Sequence, residues 1–323
     1  MSILIEETNK MKVVLITGAS KGIGLATAEH LAKEGYIVYA TTRKPDQAHE
    51  LQALAKQYEN LIIQQLDVTD EEEIIKNKIN KMGVIDILIN NAGIGLYGPV
   101  ETATDSENRK IFETNVFGLL KVTNAVLPGM RERNSGSIIT LSSIVGPLPD
   151  PFLPVYSASK AAVETYMAVL KKDLATAGYN ITVSNIHPGP VLTDFEASTP
   201  AGTRFSHGDN PYPQMDAGFE KWRTIMRGGR PVKETVDTIV RVINQKNPQF
   251  WNPTEPTVQE QFERVYKDTS GNSYMVGLTI PQSARTEFQG SVEALIARGA
   301  ASSDDTRRGI NLETRNTYRE PTM

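Results

Sequence analysis

Between residues 11 and 190, six short aliphatic and β-branched runs alternate with longer stretches of helical character, and this rhythm restricts the fold most. The runs are Val13-Val14-Leu15-Ile16, Tyr36-Ile37-Val38-Tyr39, Leu61-Ile62-Ile63, Ile85-Asp86-Ile87-Leu88-Ile89, Ser137-Ile138-Ile139-Thr140-Leu141 and Ile181-Thr182-Val183-Ser184. Near-continuous apolar runs suit strands buried on both faces rather than one. Strands separated by helices pair in parallel, and right-handed crossovers lay those helices on both faces of one sheet. The expected fold class is α/β, a Rossmann-type doubly wound parallel sheet. With 323 residues the chain is long enough for one such domain and a substantial core. The expected organisation is a single domain over 11–300 with a C-terminal substrate-binding extension. The polar stretch 301–323 reads as a disordered tail.

Directly after the first run comes Thr17-Gly18-Ala19-Ser20-Lys21-Gly22-Ile23-Gly24. Glycines at a strand-to-helix turn permit a tight bend, close approach to a pyrophosphate and close helix–strand packing. The helix N-terminus beyond them offers free N–H groups and positive partial charge to phosphates. Cofactor choice is read at the end of the second strand, where a carboxylate suits NAD and a cation suits the 2′-phosphate of NADP. Thr41-Thr42-Arg43-Lys44 holds no carboxylate; Arg43 offers a guanidinium fork, and Lys21 adds a second cation. NADP(H) is therefore the expected cofactor, against the alternative of a merely solvated basic turn.

Tyr156 and Lys160 are four apart, which stacks them on one face of a helix. A phenol of pKa about 10 is a poor base at neutral pH, and a nearby ammonium favours its phenolate. The pair is expected to lower the tyrosine toward working pH, where proton transfer is most effective. Alone, such a pair is usually just a helix face. The glycine loop and an upstream serine give it weight.

Together these motifs resemble the classical short-chain dehydrogenase/reductase family. The loop is similar to its TGxxxGxG, and further matches follow in order: Asn90-Asn91-Ala92-Gly93, Asn115, Ser143, Tyr156-Ser157-Ala158-Ser159-Lys160 and Pro188-Gly189. The resemblance implies hydride transfer between a nicotinamide and a carbonyl/alcohol pair. It implies Tyr156 as acid/base, Lys160 as tuning cation and nicotinamide-ribose ligand, Ser143 as holder of the substrate oxygen, and Asn115 as holder of a relay water. Ser142 competes with Ser143, but the thirteen residues separating Ser143 from Tyr156 match the family spacing. For the cofactor it implies Gly18, Ser20, Lys21, Gly22, Ile23 and Gly24 in the loop, with Thr42 and Arg43 after the second strand. Asp67 and Val68 fall to the adenine, Asn91 to the adenosine ribose side, and Val191 and Thr193 to the nicotinamide amide. Ala92, Gly93, Pro188 and Gly189 complete the set.

The stretch 194–229 changes character. Prolines and glycines interleave with Phe195, Phe205, Tyr212, Met215, Phe219, Trp222 and Met226. It is expected to be a substrate lid, and its apolar residues suit a steroid, a retinoid or another bulky ketone. A loose likeness of 230–275 to the hydroxysteroid and retinol dehydrogenase branch points the same way. A helix is expected over 232–245. The alternatives are a 3-oxoacyl thioester reductase and a non-catalytic NADP(H)-sensing protein. Epimerases and dehydratases of the extended branch use TGxxGxxG, which this chain lacks.

Composition removes other classes. With no cysteine there is no disulfide, thiolate nucleophile or cysteine-bound metal. His30, His49, His187 and His207 are scattered without ligand spacing, so no metal is expected and the four read as structural or solvent-facing. The lysines of 76–81 read as a solvated helix face. A net charge of −4 offers no footprint for nucleic acid. No apolar run is long enough for a membrane span, and the N-terminal residues lack the basic flank of a signal peptide. The expected location is cytoplasmic. The expected partners are a small-molecule carbonyl or alcohol and, from the resemblance, further copies of the chain in a homodimer or homotetramer.

Overall fold

The computed structural model describes residues 11–205 and 210–267. Each apolar run becomes a strand: β1 (Val13–Ile16), β2 (Ile37–Thr42), β3 (Leu61–Gln65), β4 (Ile87–Asn90), β5 (Gly136–Leu141) and β6 (Ile181–His187). Between and after them lie α1 (Gly22–Lys33), α2 (His49–Gln57), α3 (Glu72–Met82), α4 (Asp105–Phe112), α5 (Leu119–Glu132), α6 (Pro154–Thr176), α7 (Met215–Arg227), α8 (Val232–Asn244) and α9 (Pro256–Lys267). A further strand, β7 (Trp251–Pro253), joins the edge beside β6. Three residues ending in proline carry no alternation, so it leaves no trace in the sequence pattern.

The strands form one parallel sheet in the order β3-β2-β1-β4-β5-β6-β7. The doubly wound Rossmann-type fold is thus the one the sequence implies. Strand order reverses between β1 and β4, and such sheets take ligands in the crevice outside the carboxyl ends at that reversal.

Successive strand residues point to opposite faces. Leu15, Leu88, Ile138 and Val183 meet Ile75 of α3, Val122 of α5 and Val163 of α6 on one side. Val14, Ile16, Ile87, Ile89 and Ile139 meet Leu31 of α1, Leu51 of α2 and Ile239 of α8 on the other. Both faces are buried, which is why the runs are apolar throughout instead of alternating.

Two helical segments position the crevice. At the start of α4, the Thr104 hydroxyl accepts from the Glu107 N–H at 3.2 Å while the Glu107 carboxylate accepts from the Thr104 N–H at 2.8 Å. This reciprocal cap fixes where the helix begins. Between α4 and α5 the coil widens into a π-helical turn, Glu113–Gly118, which carries Asn115. Such turns are rare and tend to mark functional sites.

The stretch expected as a lid contains a full helix, α7, where the sequence suggests a Pro/Gly-punctuated loop. Gly218 sits inside it because a Cβ there would lie 3.0 Å from the Tyr97 hydroxyl oxygen. Residues 1–10, 206–209 and 268–323 lie outside the described residues. They include His207, the whole 268–300 end of the expected domain, and the 301–323 tail.

Candidate active site

A cavity of about 580 Å³ opens at the carboxyl ends of β1, β4, β5 and β6. Of the residues named above for cofactor and chemistry, all line it except Gly24 and Asn115. At its cofactor end, Gly18 adopts φ 67° and Gly22 φ 59°, conformations that favour glycine. A Cβ on Gly18 would stand 2.9 Å from the Ala92 Cα, and one on Gly24 would stand 2.6 Å from the Gly18 oxygen. Gly24 therefore serves the packing of the loop on α1. The Thr17 hydroxyl accepts from the N–H groups of Asn91 and Ala92, each at 3.0 Å. The Asn91 amide donates to the oxygens of Thr17 and Gly18, each at 2.9 Å. The loops after β1 and β4 are thus tied together through the Asn91 Nδ2.

The first turn of α1 has no side-chain cap and no acidic residue, so its free N–H groups and positive end face the cavity uncompensated. Thr42 is buried at the end of β2, and Arg43 beside it is exposed, with no ion-pair partner among the described residues. Across the cleft, Leu192 N–H donates to the Arg230 oxygen and Arg230 N–H to the Pro190 oxygen, each at 2.9 Å. This pins the Val191–Thr193 turn opposite Gly22, where a Cβ would meet the Thr193 Cβ at 3.4 Å. Open N–H donors at the start of α1, an exposed cation at the end of β2 and a close-packed glycine floor fit a dinucleotide.

At the catalytic end, α6 starts with Pro154 at its first turn and runs for 23 residues. Tyr156 and Lys160 share one face and are both buried. The Ser143 side chain, just past β5, lies near the Tyr156 hydroxyl and lowers its pKa. Ser142 lines the same cavity but is the more deeply buried of the two serines, and its hydroxyl has no hydrogen-bond partner among the described residues. Lys160 Nζ donates to the Leu141 oxygen at 2.6 Å and lies 5.8 Å from the centre of the Tyr156 ring.

The electrostatics correct one expectation. Burial pushes the Tyr156 phenol up to about 12, offset only in part by the nearby Ser143 side chain. Burial likewise pulls Lys160 down to about 8, against the pull of Glu164, which raises it. Spacing brings the two groups together, but the ammonium is aimed at a backbone oxygen and the phenol is deeper than spacing can tell. Both groups are therefore biased toward their neutral forms.

Asn115 is buried in the π-turn. Its amide donates to the Ile94 oxygen at 2.9 Å and to the Ser159 hydroxyl at 3.0 Å, and its oxygen accepts from the Ile94 N–H at 2.9 Å. The side chain braces the loop after β4 against α6.

The remaining wall is aromatic. Phe195 lies 5.5 Å from Tyr156, and α7 brings Phe219 to 4.5 Å and Trp222 to 5.5 Å from Tyr97. Met215, Phe219, Trp222 and Met226 face one way along α7 and join this cluster. Glu196 is clasped by Arg223 at 2.6 Å and Arg227 at 3.0 Å, so α7 is latched to the turn that follows β6. Glu164 is the residue sequence reasoning misses. Its place four residues after Lys160 is the signal that could have drawn attention to it.

Residues 12–203 match the family described as short chain dehydrogenase. The chain belongs to that family. Short-chain dehydrogenases are oxidoreductases, and curated members are similar along most of their length. Retinol dehydrogenase 8 of Homo sapiens is 33% identical over 275 residues, covering 82% of this chain and 88% of that one. The 3-ketodihydrosphingosine reductase of Bacteroides thetaiotaomicron is 32% identical over 253 residues, covering 78% and 91%. Among solved short-chain dehydrogenases, one from Burkholderia cenocepacia in complex with NADP superimposes with a TM-score of 0.64 at 25% identity, covering 84% of this chain and 98% of that chain. Another, from Burkholderia phymatum in complex with NAD, gives 0.72 at 23% identity, covering 84% and 97%, and shares the fold. No helix among the described residues is long and apolar enough to cross a membrane.

Proposed function

We propose that this short-chain dehydrogenase is an NADP(H)-dependent oxidoreductase that interconverts a carbonyl and a secondary alcohol on a lipophilic substrate. The observation that carries the reading is that Ser143, Tyr156 and buried Lys160 line one cavity with Phe195 and Trp222 in its wall. The glycine loop, Lys21 and Arg43 would hold the phosphates of NADP(H), Asp67 and Val68 the adenine, and Val191, Thr193 and Lys160 the nicotinamide half. When bound, the cofactor supplies or accepts the hydride.

The chain's own residues handle the proton. Ser143 holds the substrate oxygen and stabilises the negative charge that grows on it. Tyr156 donates its proton to that oxygen in reduction, and Lys160 steadies the phenolate left behind. A phenol pushed up to about 12 is protonated at neutral pH, which readies the site for reduction. Oxidation needs the phenolate and gains from rising pH. Support for the substrate class comes from the aromatic wall and from two relatives named for retinol and 3-ketodihydrosphingosine, both lipophilic. An acyl-thioester reductase and a non-turning NADP(H) sensor are the alternatives; the complete Ser143, Tyr156 and Lys160 set weighs against a sensor. A homodimer or homotetramer in the cytoplasm completes the reading, and light scattering tests the assembly.

Tyr156→Phe keeps the ring and removes the proton, so reduction of a responsive ketone should fall about 10²–10⁴-fold with NADPH affinity retained. Near-normal turnover in that variant would sink the mechanism. A wild-type protein that binds NADPH but reduces none of a panel of steroid, retinoid, long-chain and thioester carbonyls would favour the sensor.

A further inference from the structure

Glu164 lies one helical turn beyond Lys160 and has no part in the steps above. Its side chain is only 11% exposed, and buried carboxylates are rare unless paired. Three elements converge on it. His187 Nε2, at the end of β6, stands 2.8 Å from its Oε1. The Trp251 indole N–H, on β7, donates to its Oε2 at 3.0 Å. Ser142, just past β5, and Asn185 also lie on its side, but their side chains make no hydrogen bond among the described residues. His187 is fully buried, and its Nδ1 has no partner among the described residues. A proton on Nε2 suits that setting, because it donates to Glu164 and leaves only a lone pair bare.

Burial raises the carboxylate, but the contact with His187 outweighs it and holds Glu164 below its ordinary range. Its charge is the one that acts on Lys160. The other groups facing the ammonium are Tyr156 from the same helix and the Leu141 oxygen from β5. Asn115 and Ser159, packed nearby, are neutral. His187 faces Glu164 from the opposite side.

We propose that Glu164 is a positioning residue for the reaction: the buried counter-charge that keeps Lys160 an ammonium beside Tyr156, held in place by His187 and Trp251. Its effect on turnover rests on the roles given to Tyr156 and Lys160 above; its effect on the lysine does not.

Two measurements on the full chain separate these. The first is the pH titration of Lys160 by NMR in protein labelled at the lysine ε-carbon, with its resonance assigned by loss in Lys160→Met. The second is the pH profile of NADPH-dependent carbonyl reduction. Glu164→Gln keeps shape and removes charge, so the Lys160 midpoint should drop by about one pH unit or more. The alkaline fall in turnover should move down with it. Glu164→Asp, which keeps a carboxylate, should restore much of both. If Glu164→Gln does not fold, Glu164→Met with His187→Leu replaces the buried pair by apolar groups, a change that is often tolerated, and should give the same two shifts. A midpoint and profile unchanged in a folded variant would show a structural pair only and overturn the proposal. Wild-type protein that turns over no carbonyl would overturn the effect on turnover, while the titration still decides whether Glu164 holds the lysine charged.

Discussion

Lys160 is a cation placed where cations are costly, and that cost is measurable. Its folded value of about 8 lies below the ordinary 10.5. Between those values the unfolded chain binds more protons than the folded one, so stability rises with pH across that window. Below about 8 the penalty is fully present. Lys160→Met should therefore be more stable than wild type at pH 7, by on the order of 3 kcal/mol, with the difference gone above the ordinary lysine value. Urea unfolding at pH 7 and at high pH checks this, and the same variant should lose turnover. Arg43 poses the opposite case, an exposed guanidinium awaiting an anion. Arg43→Asp should weaken NADPH binding roughly 10- to 100-fold, the worth of a charge-assisted contact, and leave NADH binding unchanged or improved. Equal affinity of the wild type for both cofactors would remove the basis for the NADP(H) assignment. Ser143, Tyr156 and Lys160 were legible because their spacing is local. Glu164 was not, because its meaning comes from His187 and Trp251, which are distant in sequence. The phenol's upward shift was hidden for a related reason: spacing reports who is adjacent, never how deep.

At the scale of elements, strands β1 to β6 were legible, and β7 and the helix within 194–229 were not. Aliphatic residues ran through the start or middle of each of these strands, so continuity alone gave them away. In α7 the apolar positions Met215, Phe219, Trp222 and Met226 do recur at helical spacing. The surrounding prolines and Gly218 masked it, since a glycine inside a helix counts against it until Tyr97 is seen lying against that point. A lid role for α7 would make the Glu196 clasp its restraint. Glu196→Gln should speed amide hydrogen exchange in α7 while exchange in β4 and β5 stays as in wild type, and cofactor with substrate should slow it again. Strong, equal protection of α7 with and without ligands would mark it as a fixed wall. The π-turn makes a firmer prediction. Asn115→Ala leaves the Ile94 N–H and oxygen without their partner, and a loss of about 1–3 kcal/mol is expected in urea unfolding.

Across the whole molecule, the cofactor groove draws on residues from Gly18 to Thr193, brought together only by the parallel sheet. A ligand bridging so many elements should stabilise them as one. At a hundredfold excess over its dissociation constant, NADPH is expected to add about 2.7 kcal/mol to unfolding free energy. The melting temperature should rise, and more so than with an equal concentration of NADH. The long helix α6 has a wider consequence. Tyr156, Lys160 and Glu164 ride on it together, and Ser143 follows the neighbouring strand β5. None of the proton-handling groups comes from 194–229, which supplies Phe195, Trp222 and Met226 to the wall. On the proposed roles, the reacting groups and the aromatic part of the wall lie on separate stretches of chain: replacing 194–229 is expected to change which molecule is accepted while leaving the proton-handling groups in place.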